Sequence, residues 1–309
     1  MNLLVTSINA KVPLLQTLKE AMLCFNPTMK LFGADSNESI LGHYFVDNFW
    51  HMPRLEELTC KEVIAYCQTH KIGYIVPTRD EDVLFFATHQ EELATKGIRC
   101  FVSNLPSIML CYDKLAFADS NASRYLIETT KTLKTLTCER VVVKERFGSG
   151  SKLLLLNATQ EEASLYAKKL SQPIFQPFIQ GTEYSIDSYI TQEGMCIGSV
   201  CRVREKVVQG ESKITYYTPH ESLVQPVEKL ITALHLHGHI ITQAIVNDEG
   251  IFIIECNARF GGASTLSYRM GLQSFLWFLQ ESNHQPIKFT LNTDVTRLVR
   301  VEQDVYFAH

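Results

Sequence analysis

Ile240-Ile-Thr-Gln-Ala-Ile-Val-Asn-Asp-Glu-Gly-Ile-Phe-Ile-Ile-Glu-Cys-Asn-Ala-Arg-Phe-Gly-Gly262 decides how this chain is read. Two apolar runs flank Asn247-Asp-Glu-Gly250, a turn composition, so they predict the antiparallel strands of a hairpin. Side chains alternate along a strand, which puts Glu255 and Asn257 on one face and lets Gln243 meet them across the ladder. Their oxygens suit Mg²⁺, a hard cation that keeps several waters and needs few protein ligands when it rides on phosphates; Mn²⁺ accepts the same donors. Arg259 offers a planar positive fork to a γ-phosphate or a developing acyl phosphate. Gly261 and Gly262 allow a close approach of backbone to ligand. A polar strand end beside a solvated turn would explain Glu255 alone. The whole set is harder to dismiss, because a buried apolar strand seldom carries Glu and Asn without partners for them.

Upstream, Phe175-Gln-Pro-Phe-Ile-Gln-Gly-Thr-Glu-Tyr-Ser-Ile-Asp187 reads as strand, turn at Gly181, and strand. Further upstream lie two lysines. Lys114 follows Asp113, a residue suited to cap a helix expected over 113–126. Lys144 ends the β-branched run 140–145, just before the Phe-Gly-Ser-Gly-Ser loop at 147–151. A strand-end lysine beside such a loop can bridge phosphate oxygens while loop amides close over them. The Walker pattern is absent, and a plain hairpin explains the loop equally well.

The remainder fixes the class. Strands expected at 3–6, 30–33, 72–77 and 100–102 alternate with helices at 14–25, 58–69 and 82–93, a pattern for a parallel sheet covered on both faces. After 111 comes a strand–loop–strand–helix unit, and from 174 onward the strands lengthen and look antiparallel. The chain is therefore α/β (α+β), divided at 1–110, 111–175 and 176–309. Its 309 residues are 46% hydrophobic and 20% charged with net charge −4, which suits a globular protein and disfavours nucleic acid as the main partner. The apolar start is brief and is interrupted by Asn9 and Lys11. No run is long enough to span a bilayer, and the nine cysteines contain no CxxC pair. A cytoplasmic protein with reduced thiols and no zinc is expected.

The three polar clusters, in this order, resemble those of ATP-grasp proteins, most closely the carbamoyl-phosphate-synthetase-like branch of carboxylate–amine ligases. The resemblance covers nearly the whole chain. It implies an N-terminal pre-ATP-grasp domain, a small lid and a large subdomain carrying the metal site. It assigns Lys114 and Lys144 to the α- and β-phosphates, and Gln176, Phe178 and Ile179 to the adenine linker. Glu183 becomes the ribose acceptor, and Gln243, Glu255 and Asn257 become the metal ligands. Arg259 and Lys144 take the catalytic roles. Gln176 stands where many relatives carry an acid, although its carbonyl accepts the same bond. The lid is short and lacks the proline that often precedes its strand. The implied reaction uses ATP and Mg²⁺ to turn a carboxylate into an acyl phosphate, which an amine or thiol then attacks, releasing ADP and phosphate. A phosphotransfer enzyme that releases the acyl phosphate, a nucleotide-binding module without turnover, and a homodimer all stay open.

Three further groups have two readings. Arg202, Arg204 and Lys206 alternate on one strand and face either the triphosphate or substrate carboxylate, or solvent. His235, His237 and His239 are expected at the surface and at a strand start. Asp80, Glu81 and Asp82 follow the third strand, at the edge where α/β domains bind ligands, but a helix N-terminus explains acidic residues there as well.

Overall fold

The computed structural model describes residues 1–148 and 153–307. The N-terminal third forms one five-stranded parallel sheet from β1 (Asn2–Thr6), β2 (Leu31–Asp35), β3 (Asn48–His51), β4 (Ile72–Val76) and β5 (Arg99–Cys100), in the order β3-β2-β1-β4-β5. Helix α1 (Val12–Phe25) opens with Pro13 at its start, where a missing N–H costs nothing, and buries Leu14, Leu15, Leu18 and Met22. Helix α2 (Cys60–Thr69) is started by a capping box in which Thr59 and Glu62 satisfy each other's backbone N–H. Helices α3 (Asp80–Thr88) and α4 (Gln90–Ala94) complete the cover. Strand β3 was not anticipated, because its four residues pack aromatic rings at a sheet edge and leave no buried apolar run.

Helix α5 (Leu105–Tyr112) is capped by Asn104, and α6 (Lys114–Asp119) by Asp113. The single helix expected over 113–126 is thus only six residues long. Asn121 adopts φ 54°, a left-handed turn that ends the helix, and residues 125–127 run alongside a later strand instead. Strands β6 (Val141–Glu145), β7 (Leu154–Ala158) and β8 (Pro173–Pro177) form a separate three-stranded antiparallel sheet, with α7 (Gln160–Ala167) packed on it. The segment read as the first strand of the C-terminal sheet is therefore β8 of this small sheet.

The large sheet has six antiparallel strands: β9 (Thr182–Ile190), β10 (Cys196–Val208), β11 (Glu211–Tyr217), β12 (Gly238–Asn247), β13 (Gly250–Asn257) and β14 (Arg297–Val299), ordered β13-β12-β9-β10-β11-β14. Its back is covered by α8 (Glu221–Ala233), which buries Leu223, Val227, Leu230 and Ile231. Sequence reading passed over this helix, which holds Pro226 inside its span. Helices α9 (Ser264–Arg269) and α10 (Ser274–Glu281) join the large sheet to α1 through one shared core that includes Trp277, Phe275, Tyr189 and Phe260. No helix among the described residues is long and apolar enough to cross a membrane.

Candidate active site

The hairpin is regular from Asn247 opposite Gly250 to Ala244 opposite Ile253, and a one-residue bulge there shifts the register that follows. Gln243 pairs with Glu255, Ile241 with Asn257, and Asn247 with Gly250. The turn is held by Asn247 Oδ1, which accepts from the N–H groups of Glu249 at 2.9 Å and Gly250 at 3.2 Å. The register continues across the sheet: Gln243 faces Ser185, Ser185 faces Arg202, and Arg202 faces Tyr217. Directly opposed residues in an antiparallel ladder share a face. One row of polar side chains, Tyr217–Arg202–Ser185–Gln243–Glu255, therefore crosses five strands.

Glu255 and Asn257 are half-buried. Asn257 Nδ2 donates to Glu255 Oε1 at 3.0 Å, which leaves the Asn257 carbonyl oxygen and the second Glu255 oxygen as hard donors. With Gln243 this set contains oxygen donors and no soft ligand, so its chemistry fits Mg²⁺ or Mn²⁺. Arg259 has a partner that sequence reading did not give it. Its Nε and Nη2 donate to the two oxygens of Asp80 at 2.6 and 2.8 Å, and Nη2 reaches Asn257 Oδ1 at 3.4 Å. The fork is thus fixed by the first residue of α3, and the acidic start of that helix does more than favour the helix dipole. The close approach at Gly262 is made by Arg300, whose guanidinium Nη1 would lie 2.9 Å from a Cβ there.

The two lysines converge on the same place from helix α6 and from the small sheet. Asp113 caps α6 by accepting from the N–H groups of Leu115 and Ala116, each at 3.1 Å, and Arg146 grips the same carboxylate with Nε at 2.7 Å. This positions Lys114, whose Nζ donates to the carbonyl of Gly148 at 2.6 Å. Lys144 is the last residue but one of β6 and lies in the fields of Glu255, Lys114 and Glu183. Burial pushes its ammonium down to about 8, with the Lys114 charge adding to the effect and the two carboxylates opposing it. The loop expected to close over phosphates lies outside the described residues at 149–152. Its first aromatic, Phe147, packs against Tyr112 with ring centroids 5.5 Å apart.

Gln176 is 2% exposed and donates from Nε2 to Thr129 Oγ1 at 2.9 Å, leaving its carbonyl oxygen as the acceptor. Phe178 ties its N–H to the Arg140 carbonyl at 2.9 Å, and Ile179 follows it beyond the end of β8. Glu183 forms an ion pair with Arg204 at 2.8 Å, and burial raises its carboxyl against the pull of that arginine.

The arginine strand is not a solvated face. Arg202 is 2% exposed, and its Nε donates to Asp187 Oδ2 at 2.6 Å. Asp187 also accepts from Ser264 Oγ at 2.8 Å and Ser267 Oγ at 2.9 Å, and its Oδ1 lies 3.2 Å from His239 Nε2. Lys206 alone of the three faces solvent, beyond a bulge in β10. His239 is a correction to the surface reading: it is 4% exposed, and its Nδ1 lies 2.9 Å from Ser274 Oγ. Its position two residues before Ile241 on the Gln243 face was the signal that could have found it.

Comparison with known proteins bears on the family and the fold. Residues 110–263 match the ATP-grasp domain family, and residues 3–101 match the PylC-like N-terminal domain. A tyramine–L-glutamate ligase from Methanocaldococcus jannaschii is 24% identical over 292 residues, covering 88% of this chain and 85% of that protein. Among solved structures, an L-amino acid ligase from Bacillus licheniformis superposes with a TM-score of 0.70 at 16% identity, covering 93% of this chain and 75% of its own. N5-carboxyaminoimidazole synthetase from Staphylococcus aureus, complexed with ADP, gives 0.71 at 14% identity over 94% of this chain and 79% of its own. At these identities the structural matches speak for the fold.

Proposed function

We propose, from the premise that this chain belongs to the ATP-grasp family, that it is an ATP-dependent ligase joining a small carboxylic acid to an amine. The observation that carries the reading is the convergence of Gln243, Glu255 and Asn257 with Lys114, Lys144 and Arg259 from three separate parts of the fold. Gln176, Phe178 and Ile179 hold the adenine, and Glu183, steadied by Arg204, accepts the ribose hydroxyls. Lys114 and Lys144 bind the α- and β-phosphates. Mg²⁺ held by Gln243, Glu255 and Asn257 would supply charge neutralisation along the triphosphate. Arg259, oriented by Asp80, faces the anionic acid as its oxygen attacks the γ-phosphorus and ADP leaves. The amine then attacks the acyl carbon and phosphate leaves. The protein contributes alignment and fixed positive charge, the main terms in phosphoryl transfer. By likeness to the tyramine–glutamate enzyme, an amino acid is the first acid to test. The deciding experiment is ADP release across a panel of carboxylic acids, each with and without amines. ADP formation that requires both substrates supports the ligase, and release on acid alone with accumulation of an acyl phosphate rejects it.

Two expected results follow from the nucleotide side. Mg-ATP should raise the melting temperature more than Mg-GTP at equal concentration, since binding at about a hundred times Kd stabilises by roughly 2.7 kcal/mol. The Gln176 carbonyl accepts from the adenine amine, whereas the guanine carbonyl would meet it acceptor to acceptor. Equal shifts by thermal denaturation would remove the adenine assignment. The second concerns pH. Only the charged form of Lys144 attracts phosphate, and its pKa is held near 8. ATP affinity, measured by calorimetry at fixed Mg²⁺, should therefore fall about tenfold per unit once the pH passes 8. K144M should bind weakly at pH 7 and show no such slope, and an unchanged slope would show that another group titrates.

A further inference from the structure

A second charged cluster lies beyond Arg259 from Glu255, and the reaction derived above does not use it. The chain leaves β1 through Ser7 and Ala10, both at positive φ (53° and 54°), and this turn delivers Lys11 to the head of α1. Lys11 makes no side-chain capping bond there. Arg300 arrives from the C-terminal segment. Its backbone N–H bonds to the Lys213 carbonyl at 2.8 Å, its Nη2 donates to the Gly262 carbonyl at 2.5 Å, and its Nη1 reaches Glu211 at 3.2 Å. The ammonium of Lys11 lies in the fields of Arg259, Glu211, Asp80 and Arg300. Residues 11, 80, 211, 259 and 300 are thus gathered in one place from five parts of the chain.

Lys11 shares this place with two cations, Arg259 and Arg300, and with two carboxylates, Asp80 and Glu211. Asp80 is gripped at both oxygens by Arg259, and Glu211 is shared between Arg300 and Lys213 at 3.1 Å. Among the described residues Lys11 forms no ion pair or hydrogen bond at contact distance through its ammonium, although it is half-buried. An ammonium without a contact partner in a partly desolvated place suits one anionic group. Arg259 connects the two regions, because its Nη2 touches Asn257 on the metal-ligand side while its fork holds Asp80 on this one. An anion beside Lys11 would therefore lie across Arg259 from the metal-ligand side.

We propose that Lys11, backed by Arg300, binds a second carboxylate on the acid substrate, so that the preferred substrates are dicarboxylic acids, amino dicarboxylic acids among them. This rests on the ligase reading and specifies its substrate class.

The test uses the full chain with hydroxylamine as the amine, so that any acyl phosphate is trapped as a hydroxamate with release of phosphate. Glutarate and pentanoate form a pair matched in length. The wild type should favour glutarate by about tenfold or more in kcat/KM. K11M should raise KM for glutarate by about tenfold or more while moving kcat by less than about threefold and leaving KM for ATP in place, and K11R should recover most of the loss. Calorimetric titration with glutarate beside a non-hydrolysable ATP analogue gives a readout without turnover, and K11M should weaken that binding by about tenfold. No preference in the wild type, or a glutarate KM and Kd that ignore K11M, overturns the subsite. Lys11-dependent glutarate binding without hydroxamate from any acid would support the subsite and reject the ligase reading; hydroxamate formation indifferent to Lys11 would do the reverse.

Discussion

Replacing Glu255 with alanine is expected to cut ADP formation about a thousandfold, roughly 4 kcal/mol of transition-state stabilisation, while the protein stays folded. The size follows from position. Glu255 is the anionic member of the Gln243, Glu255 and Asn257 set, and the two neutral amides cannot replace its charge toward a divalent cation. The fold should tolerate the change because Glu255 is half-buried and, among the described residues, its side-chain hydrogen bond is to Asn257, within the same strand. Removing the carboxylate relieves a repulsion felt by Glu183, whose carboxyl is raised by burial first and by Glu255 among the charges around it, and takes a counter-charge from Lys114 and Lys144. The two effects oppose each other, so circular dichroism without Mg²⁺ should match the wild type closely. Turnover at the wild-type rate under saturating Mg²⁺ would remove the metal assignment.

This site was legible in the sequence to the extent that it is local. The hairpin follows from its four-residue turn, and the shared face of Glu255 and Asn257 from period-two alternation, both within about twenty residues, but Gln243 comes opposite Glu255 only through the one-residue bulge beside Ala244. The same locality explains why the start of α6 at Asp113 was read and its end was not. The cap is a side-chain effect at one residue, whereas the stop depends on Asn121 entering the left-handed region. The assignment of β8 failed for a related reason. Ile174 to Ile179 reads as strand in either sheet, and only the pairing of Phe175 with Val143 and of Gln176 with Val142 of β6 decides which.

The remainder was invisible because its partners are remote. Asp80 and Arg259 are 179 positions apart, and no periodicity links a helix start in a parallel sheet with a strand end in an antiparallel one. Arg202 was noticed as one of an alternating basic set, but its burial depends on Asp187, Ser264 and Ser267 arriving from β9 and α9. A lone Asp in Glu183-Tyr-Ser-Ile-Asp187 carries no hint that it is fully buried. The resemblance to a family supplied roles for the residues facing nucleotide and said nothing of the network beneath them.

That network carries the largest expected effect on stability. Asp187→Ala should destabilise the protein by about 3–5 kcal/mol, because it leaves Arg202 as an uncompensated buried charge. Both side chains are nearly inaccessible, at 3% for Arg202 and 0% for Asp187. Burial alone would raise the Asp187 carboxyl, but the Arg202 charge and the His239 hydrogen bond overcome it and hold the group well below the usual carboxylate range. The sign of the pH dependence follows. A depressed folded value means that the contribution is present in full above the unfolded value, about 3.9, and is lost as the pH falls toward the folded one. The gap between wild type and variant, measured by urea denaturation, should therefore be constant from pH 5 to 7 and should narrow below about pH 4. A second change separates unpaired charge from lost packing. Adding Arg202→Met to Asp187→Ala removes the orphaned cation, so the double variant should be more stable than Asp187→Ala alone. A single-variant loss under about 1 kcal/mol, or a double variant that falls further, would mean that Arg202 finds another counter-charge and that Asp187 is not the group that fixes it beneath the site.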